Sequence, residues 1–183
     1  MGNLSKGKDT KAKIIKAARA LFYEEGYNNT TSRKISEKSD TNLGLLNYYF
    51  KGKKEIALII YTDIRNRWDQ KLIEMEFSNK EHTEDSVNEF LLSSAIELYL
   101  CLENKNYARF YNEIINEPLI RIKIQNIISE VLVKYAKKQE NADYVKMASL
   151  SMSSIKPALV SYCYNAKDPI ATEVCIRYYL EQQ

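Results

Sequence analysis

Histidine occurs once in the 183 residues, at His82, and cysteine only at positions 101, 163 and 175. A metal centre built on histidines is excluded by that count. A Cys/His or Ser/His nucleophile would need His82 carried to its partner from a polar loop. No CxxC pair and no glycine-rich phosphate loop is present. The paired carboxylates Glu24-Glu25 and Glu84-Asp85 fall at helix ends and read as solvated faces rather than catalytic dyads. No enzyme activity and no cofactor is therefore expected. Glycine (five) and proline (three) are too scarce for sheet turns or long linkers, so the expected fold is all-α. No apolar run reaches the ~20 residues needed to cross a bilayer. Met1 to Lys13 is polar and basic, without the apolar core of a secretion signal. Three cysteines, odd in number and set in apolar surroundings, read as buried thiols of a reducing compartment, and a cytoplasmic location is expected.

What is present is a soluble profile with an uneven charge. Hydrophobic residues make 45% and charged residues 28%, enough for one domain or two small ones with a core. The formal net charge of +3 hides a division. Met1 to Lys54 carries twelve Lys/Arg against five Asp/Glu, and Glu55 to Gln183 fifteen against nineteen. A basic head on an acidic body points to a polyanionic partner for the head, though a merely solvated basic tail has the same composition.

Thr31 to Phe50 reads as two short helices joined by a tight polar turn. Thr31 and Asn42 are placed to cap them. Ile35, Ser39, Leu46 and Phe50 are spaced to pack them together, leaving Arg33, Lys34, Asn47, Tyr48 and Lys53 outside. That is a helix-turn-helix, whose second helix fits the DNA major groove. Before it, a helix is expected from about Thr10 to Glu25, with Ile14, Ala17, Ala18, Leu21 and Phe22 on one face and Gly26 ending it. Met1 to Asp9 is expected to be a mobile basic arm. Lys6, Lys8 and Lys11 on it either attract DNA or only solubilise.

The spaced set Ile14-x-x-Ala17-Ala18-x-x-Leu21-Phe22-x-x-x-Gly26-Tyr27-x-x-Thr30-Thr31, then Ile35-Ser36, then Gly44-x-Leu46-x-Tyr48-Tyr49-Phe50-Lys51-x-Lys53-x-Glu55-Ile56, resembles the tetracycline-repressor (TetR) family of bacterial transcription regulators. The resemblance covers roughly the first third of the chain. Asp40 and Thr41 depart from it, standing where the family has Gly and an apolar residue in the turn, and Asn47 stands where Tyr is usual. It implies a three-helix DNA-binding head over residues 1–52 and a larger helical body, 53–183, that binds an effector and dimerises.

For the head, the resemblance implies that Arg33 reads guanine, that Ser32 and Lys53 hold phosphates, and that Tyr48 and Tyr49 contact phosphate and brace the helix. Core packing is the plainer role for either tyrosine. Asn42, Leu43, Gly44 and Leu45 open the recognition helix. The two leucines can touch thymine methyls, and Gly44 lets the backbone approach DNA. Asn47 either pairs with adenine or phosphate or is a solvent-exposed amide.

In the body, helices are expected from Lys53 to about Glu76, Ser86 to Glu103, Tyr107 to Ile115, Leu119 to Lys138, Asn141 to Asn165 (kinked at Pro157) and Asp168 to Leu180, the last capped by Asp168 and opened by Pro169. The loop at Phe77 to Asp85 separates the first two. Family resemblance implies an effector pocket, for which Trp68, Phe90, Tyr99, Phe110, Tyr111, Tyr135 and Met147 are candidate liners, though each taken singly reads more readily as ordinary core. It also implies that the last two helices pair across a two-fold axis, through Ile155, Leu159, Tyr162, Val174 and Tyr178. The expected function is a homodimeric, ligand-responsive regulator, a repressor that binds a palindromic operator in double-stranded DNA and leaves it when a small-molecule effector binds. The helix from Lys53 would transmit the change. The alternative is a helix-turn-helix regulator with no small-molecule effector, controlled by a protein partner. A helical enzyme or carrier is the third class, and the single histidine speaks against it.

Overall fold

The computed structural model describes residues 2–75, 83–135 and 142–182, and every element in these stretches is an α-helix. In chain order they are α1 (Gly2–Glu24), α2 (Ser32–Lys38), α3 (Leu43–Tyr49), α4 (Lys53–Glu74), α5 (Thr83–Glu103), α6 (Lys105–Ile115), α7 (Pro118–Tyr135), α8 (Ala142–Asn165) and α9 (Thr172–Glu181). The chain forms two compact units, Met1–Ile64 and Arg65–Gln183, and the division falls inside α4.

The first unit is built on the apolar stripe of α1. Ile14, Ala17, Ala18, Leu21 and Phe22 are all buried, as their i, i+3, i+4, i+7, i+8 spacing requires. Ile35 from α2, Leu46 from α3 and Ile56 and Ile60 from α4 are buried in the same unit, each at 0–2% exposure. Burying an aliphatic side chain of this size contributes roughly 1.5–3 kcal/mol, so this cluster outweighs every surface ion pair of the unit. Gly26 takes a left-handed φ of 88° and ends α1, its N–H donating to the Phe22 carbonyl at 3.1 Å. The start of α1 departs from expectation. The helix begins at Gly2, so the basic arm continues α1 instead of hanging loose.

In the second unit α5 is central and packs on α6, α7, α8 and α9. Small and apolar residues on several of its faces allow this: Ser93, Ser94, Ala95, Leu98 and Cys101 are all buried. Asn104 interrupts the chain by capping α6, its Oδ1 accepting from the Tyr107 N–H at 3.0 Å. Pro118 opens α7 and α8 runs on through Pro157. The expected start of the last helix is corrected. Asp168 and Pro169 precede it, and α9 begins at Thr172, with Ala171 at its cap and no side-chain cap bond. A tertiary contact sets this start: the Thr172 hydroxyl donates to Glu103 Oε1 at 2.6 Å, fastening the first residue of α9 to the end of α5.

The turn between α2 and α3 resolves one departure from the family pattern. Asp40 has φ 51°, in the left-handed region. An L-residue there costs roughly 1–2 kcal/mol, less for Asp and Asn than for others. Polar bonds hold the turn: Ser39 Oγ lies 2.8 Å from Thr41 Oγ1, and the Thr41 N–H donates to the Ser36 carbonyl at 3.0 Å. Asp40→Gly should therefore keep stability within about 1 kcal/mol, because relief of strain offsets the entropy of a freer unfolded chain. Asp40→Val should lose about 1–2 kcal/mol. Urea unfolding followed by circular dichroism distinguishes the two, and equal midpoints would contradict a strained turn.

Candidate functional site

Two caps build the exposed face of the head. Thr31 Oγ1 accepts from the Lys34 N–H at 3.2 Å and starts α2, and Asn42 Oδ1 accepts from the Leu45 N–H at 2.7 Å and starts α3. Each cap contributes about 1 kcal/mol, a large share of what two seven-residue helices can have. With Ile35, Ser39, Leu46 and Phe50 buried between the helices, α3 can show solvent only its other face. That face is Leu43 (44% exposed), Gly44, Leu45, Asn47 and Tyr48.

The two adjacent tyrosines divide their roles. Tyr48 is 80% exposed, which rules out core packing for it. Tyr49 is half-buried, meets the Tyr48 ring edge-on at 5.1 Å and lies under Lys11 Nζ at 5.5 Å. A Cβ on Gly7 would stand 3.3 Å from the Tyr49 hydroxyl. The first turns of α1 thus lie against Tyr49 and bring Lys11 beside the recognition helix, a placement that follows from α1 beginning at Gly2. Gly44 carries a constraint unrelated to DNA: a Cβ there would stand 3.1 Å from Asn42 Oδ1, crowding the cap that starts the helix.

The cations also separate. Arg33 is exposed, and its Nε reaches Glu37 at 3.1 Å with both side chains largely in water. Such a pair is worth at most about 0.5 kcal/mol, so a phosphate or a base edge can replace it. Lys34 is committed to Glu25 and the Asn29 carbonyl, and Lys38 to Glu24. Lys53 Nζ donates to the carbonyls of Tyr27 and Thr30, both at 2.9 Å, and sits 4.1 Å from the centre of the Tyr27 ring. These bonds close the connector between α1 and α2, a positioning role that family resemblance did not assign to it. Ser32 is half-buried in the first turn of α2, next to Arg33.

The described candidate residues of the body differ in burial. Phe110 and Tyr111 are buried and Trp68 is half-buried, whereas Tyr99 (50% exposed) and Met147 (67%) lie on the surface and are removed from any interior lining. The side chains of Phe90 and Tyr135 lie outside those described, and so does His82. Ile155 and Leu159 are half-buried, and Tyr162, Val174 and Tyr178 are exposed by 50–55%.

A buried charge cluster was missed. Glu97 on α5 is 1% exposed and accepts from Lys156 of α8, from Arg65 of α4 at 3.2 Å and from the Tyr107 hydroxyl of α6 at 3.2 Å. Arg65 also reaches Ser94 Oγ at 3.4 Å, and Lys156 Nζ stands 5.7 Å from the Tyr111 ring centre. Burial alone would raise the Glu97 pKa, but the charges of Lys156 and Arg65 outweigh it and hold the carboxyl below its ordinary range. Lys156 is lowered as well, by burial first, with Arg65 adding to it against the pull of Glu97. The two directions agree, since Glu97 faces two cations and Lys156 faces one charge of each sign. Burial pushes the Tyr179 phenol up, and burial with the Glu97 charge pushes the Cys101 thiol well up, so both stay protonated near neutrality. A glutamate alone on a helix face of Ser, Ala and Leu was the available sequence signal.

Residues 14–59 match the model of a family described as "Bacterial regulatory proteins, tetR family". The chain is similar to the HTH-type transcriptional regulator QacR of Staphylococcus aureus, 29% identical over 125 residues, which cover 68% of this chain and 66% of that protein. It is also similar to the probable HTH-type transcriptional regulator YttP of Bacillus subtilis, 32% identical over 128 residues, covering 68% of this chain and 58% of that one. The matches thus span somewhat less than two thirds of each relative. A crystal structure of a TetR-family regulator from Syntrophomonas wolfei superposes with a TM-score of 0.65 at 18% identity, over 95% of this chain and 92% of the other, and so shares the fold.

Removing Glu97 should be severe. Glu97→Ala leaves Lys156 and Arg65 buried against each other and should cost about 3–5 kcal/mol, whereas the double change Glu97→Leu with Lys156→Met should cost much less. The folded pKa of Glu97 lies below its ordinary 4.5, so its contribution is present above that pH and is lost as pH falls through the folded value. The stability gap between wild type and Glu97→Ala should accordingly close in acid. A gap independent of pH, measured by denaturant unfolding between pH 7 and 3, would show that the cluster does not act through charge.

Proposed function

We propose, from the premise that this chain belongs to the TetR family of DNA-binding transcription regulators, that it is a cytoplasmic repressor which binds a palindromic operator as a homodimer and leaves it when a small-molecule effector occupies the body. The observation that carries the reading is the uncovered face of α3. Leu43, Leu45 and Tyr48 are large apolar or aromatic side chains on a capped helix, in water, within the basic first third of the chain. Exposed apolar groups beside Arg33, whose own ion pair is largely in water, suit a surface that meets thymine methyls and phosphates. Arg33 and Tyr48 are the residues best placed to reach DNA; Ser32, Asn42, Gly44 and Asn47 border them. Tyr49 braces α3, and Lys53 positions the connector before α2.

Support for a two-fold body comes from α8 and α9. Tyr162, Val174 and Tyr178 stand in water although they would serve a core, and side chains of this size on neighbouring helices make an association surface. One head contacts few base pairs, and pairing doubles the contacts on an inverted repeat whose half-sites lie about one helical turn, ~10 base pairs, or a multiple of it apart. An effector that prefers the other arrangement of the two heads would shift the population off the operator. Its proposed place is the body, near Phe110, Tyr111 and the Glu97 cluster, which would offer aromatic surface and charge.

The test begins with duplex DNA recovered by pull-down from the source genome. Wild type should bind it with an affinity that falls as salt rises. Arg33→Ala should leave stability unchanged and cost about 1–3 kcal/mol at particular base pairs. Lys53→Met, in contrast, should cost about 1.5–3 kcal/mol of head stability through two lost charge-assisted bonds, and should weaken all sequences only as far as the head unfolds. Loss of stability in Arg33→Ala, or salt-independent binding by the wild type, would refute these roles.

The dimer has its own check. Tyr178→Glu should place like charges across an apolar seam and shift sedimentation at micromolar concentration from dimer to monomer, with helical content kept and DNA affinity lost. A wild-type monomer that binds a single half-site tightly would refute the two-fold scheme.

A further inference from the structure

Among the described residues, Cys163 and Cys175 are two sulfurs that the fold brings together. Cys163 lies in the last turn of α8 and Cys175 in the first turn of α9, and their Sγ atoms stand 3.8 Å apart with both thiols free. Cys101 is buried in α5. Six residues, 166–171, separate α8 from α9, so the two cysteines lie at the closed end of a helical hairpin. The Cys175 thiol is buried at 1% exposure and also points toward the Ile170 carbonyl at 3.9 Å, while Cys163 is half-buried. One thiol is within reach of solvent, and the second waits behind it.

We infer that Cys163 and Cys175 form a reversible oxidation site, at which a low-molecular-weight disulfide converts the two thiols into one intramolecular disulfide joining α8 to α9. The chemistry is two exchanges. The Cys163 thiolate attacks a sulfur of the reagent disulfide, forms a mixed disulfide and releases one reagent thiolate. Cys175 then gives its proton to water, attacks Cys163 Sγ and releases the second reagent thiolate. One protein disulfide is made, one reagent disulfide is reduced to two thiols, and the two electrons and two protons balance. The sulfurs need to close from 3.8 Å to about 2.05 Å, which side-chain rotation and a small shift at the hairpin can supply. Burial and the neighbouring Cys163 push the Cys175 thiol up to about 11. Cys175 is therefore the slow, resolving partner, and Cys163 is the point of entry. The site is contained in one chain.

The test uses the full chain with oxidised glutathione at neutral pH, followed by mass spectrometry without reduction. Wild type and Cys101→Ser should each lose two hydrogens, and trypsin should yield a linked pair of peptides ending at Lys167 and Arg177. Dithiothreitol should restore both thiols. Cys175→Ser should stop at a stable glutathione adduct on Cys163, and Cys163→Ser should take up no glutathione at position 175. A lasting adduct on Cys163 in the wild type, linkage only between chains, or thiols that react in urea but not in the folded protein would each overturn the inference.

Discussion

A carboxylate placed in the middle of a helical unit has to be answered by cations, and in the second unit this constraint falls on Glu97. It is 1% exposed, and it collects Lys156 from α8, Arg65 from α4 and the Tyr107 hydroxyl from α6 around α5. An unpaired charge at that depth costs several kcal/mol, more than any one apolar contact of the unit returns. Four helices are therefore held in one register by a condition that sliding aliphatic surfaces alone do not impose. Apolar burial supplies the driving force, and the cluster selects which packing is used.

The first unit solves a different problem. Its motif helices have seven residues each, too short to persist alone, and they carry no buried charge. Their stability comes from Ile35 and Leu46 on one side and from the caps at Thr31 and Asn42 at the ends. Lys34 and Lys38 reach Glu25 and Glu24 in exposed pairs, and Lys53 holds the Tyr27 and Thr30 carbonyls. Arg33 retains its charge for a partner because its own pair is almost fully solvated.

The legible parts of the chain were those governed by near neighbours. The stripe of α1, the Gly26 terminus, the two caps and the buried set Ile35, Ser39, Leu46 and Phe50 all follow from spacings of one to four residues or from one local turn. Features set by distant partners were hidden. Lys53 finds carbonyls 23 and 26 residues away, and Glu97 finds cations 32 and 59 residues away. The Asp168-Pro169 start signal for α9 is a sound local preference, and it lost to the bond from Thr172 to Glu103, 69 residues apart in sequence. Asp40 shows the reverse case. A departure from the family's usual glycine left the turn geometry open, and the backbone keeps the left-handed conformation with an aspartate in it.

Helix α4 carries two ion pairs of unequal strength, two residues apart. In the first unit Asp63 pairs with Arg19, both more than a third exposed, so screening leaves little of that attraction. In the second unit Arg65 pairs with Glu97, at 14% and 1% side-chain exposure, where water screens far less. Of the two ion pairs, the one in the second unit is thus the stronger, while apolar burial of Ile56 and Ile60 holds α4 in the first. If effector release works through α4, a ligand that leaves Glu97 and its cations undisturbed has little purchase on this helix. One that competes for Lys156 or Arg65 changes the stronger of the two ion pairs α4 makes.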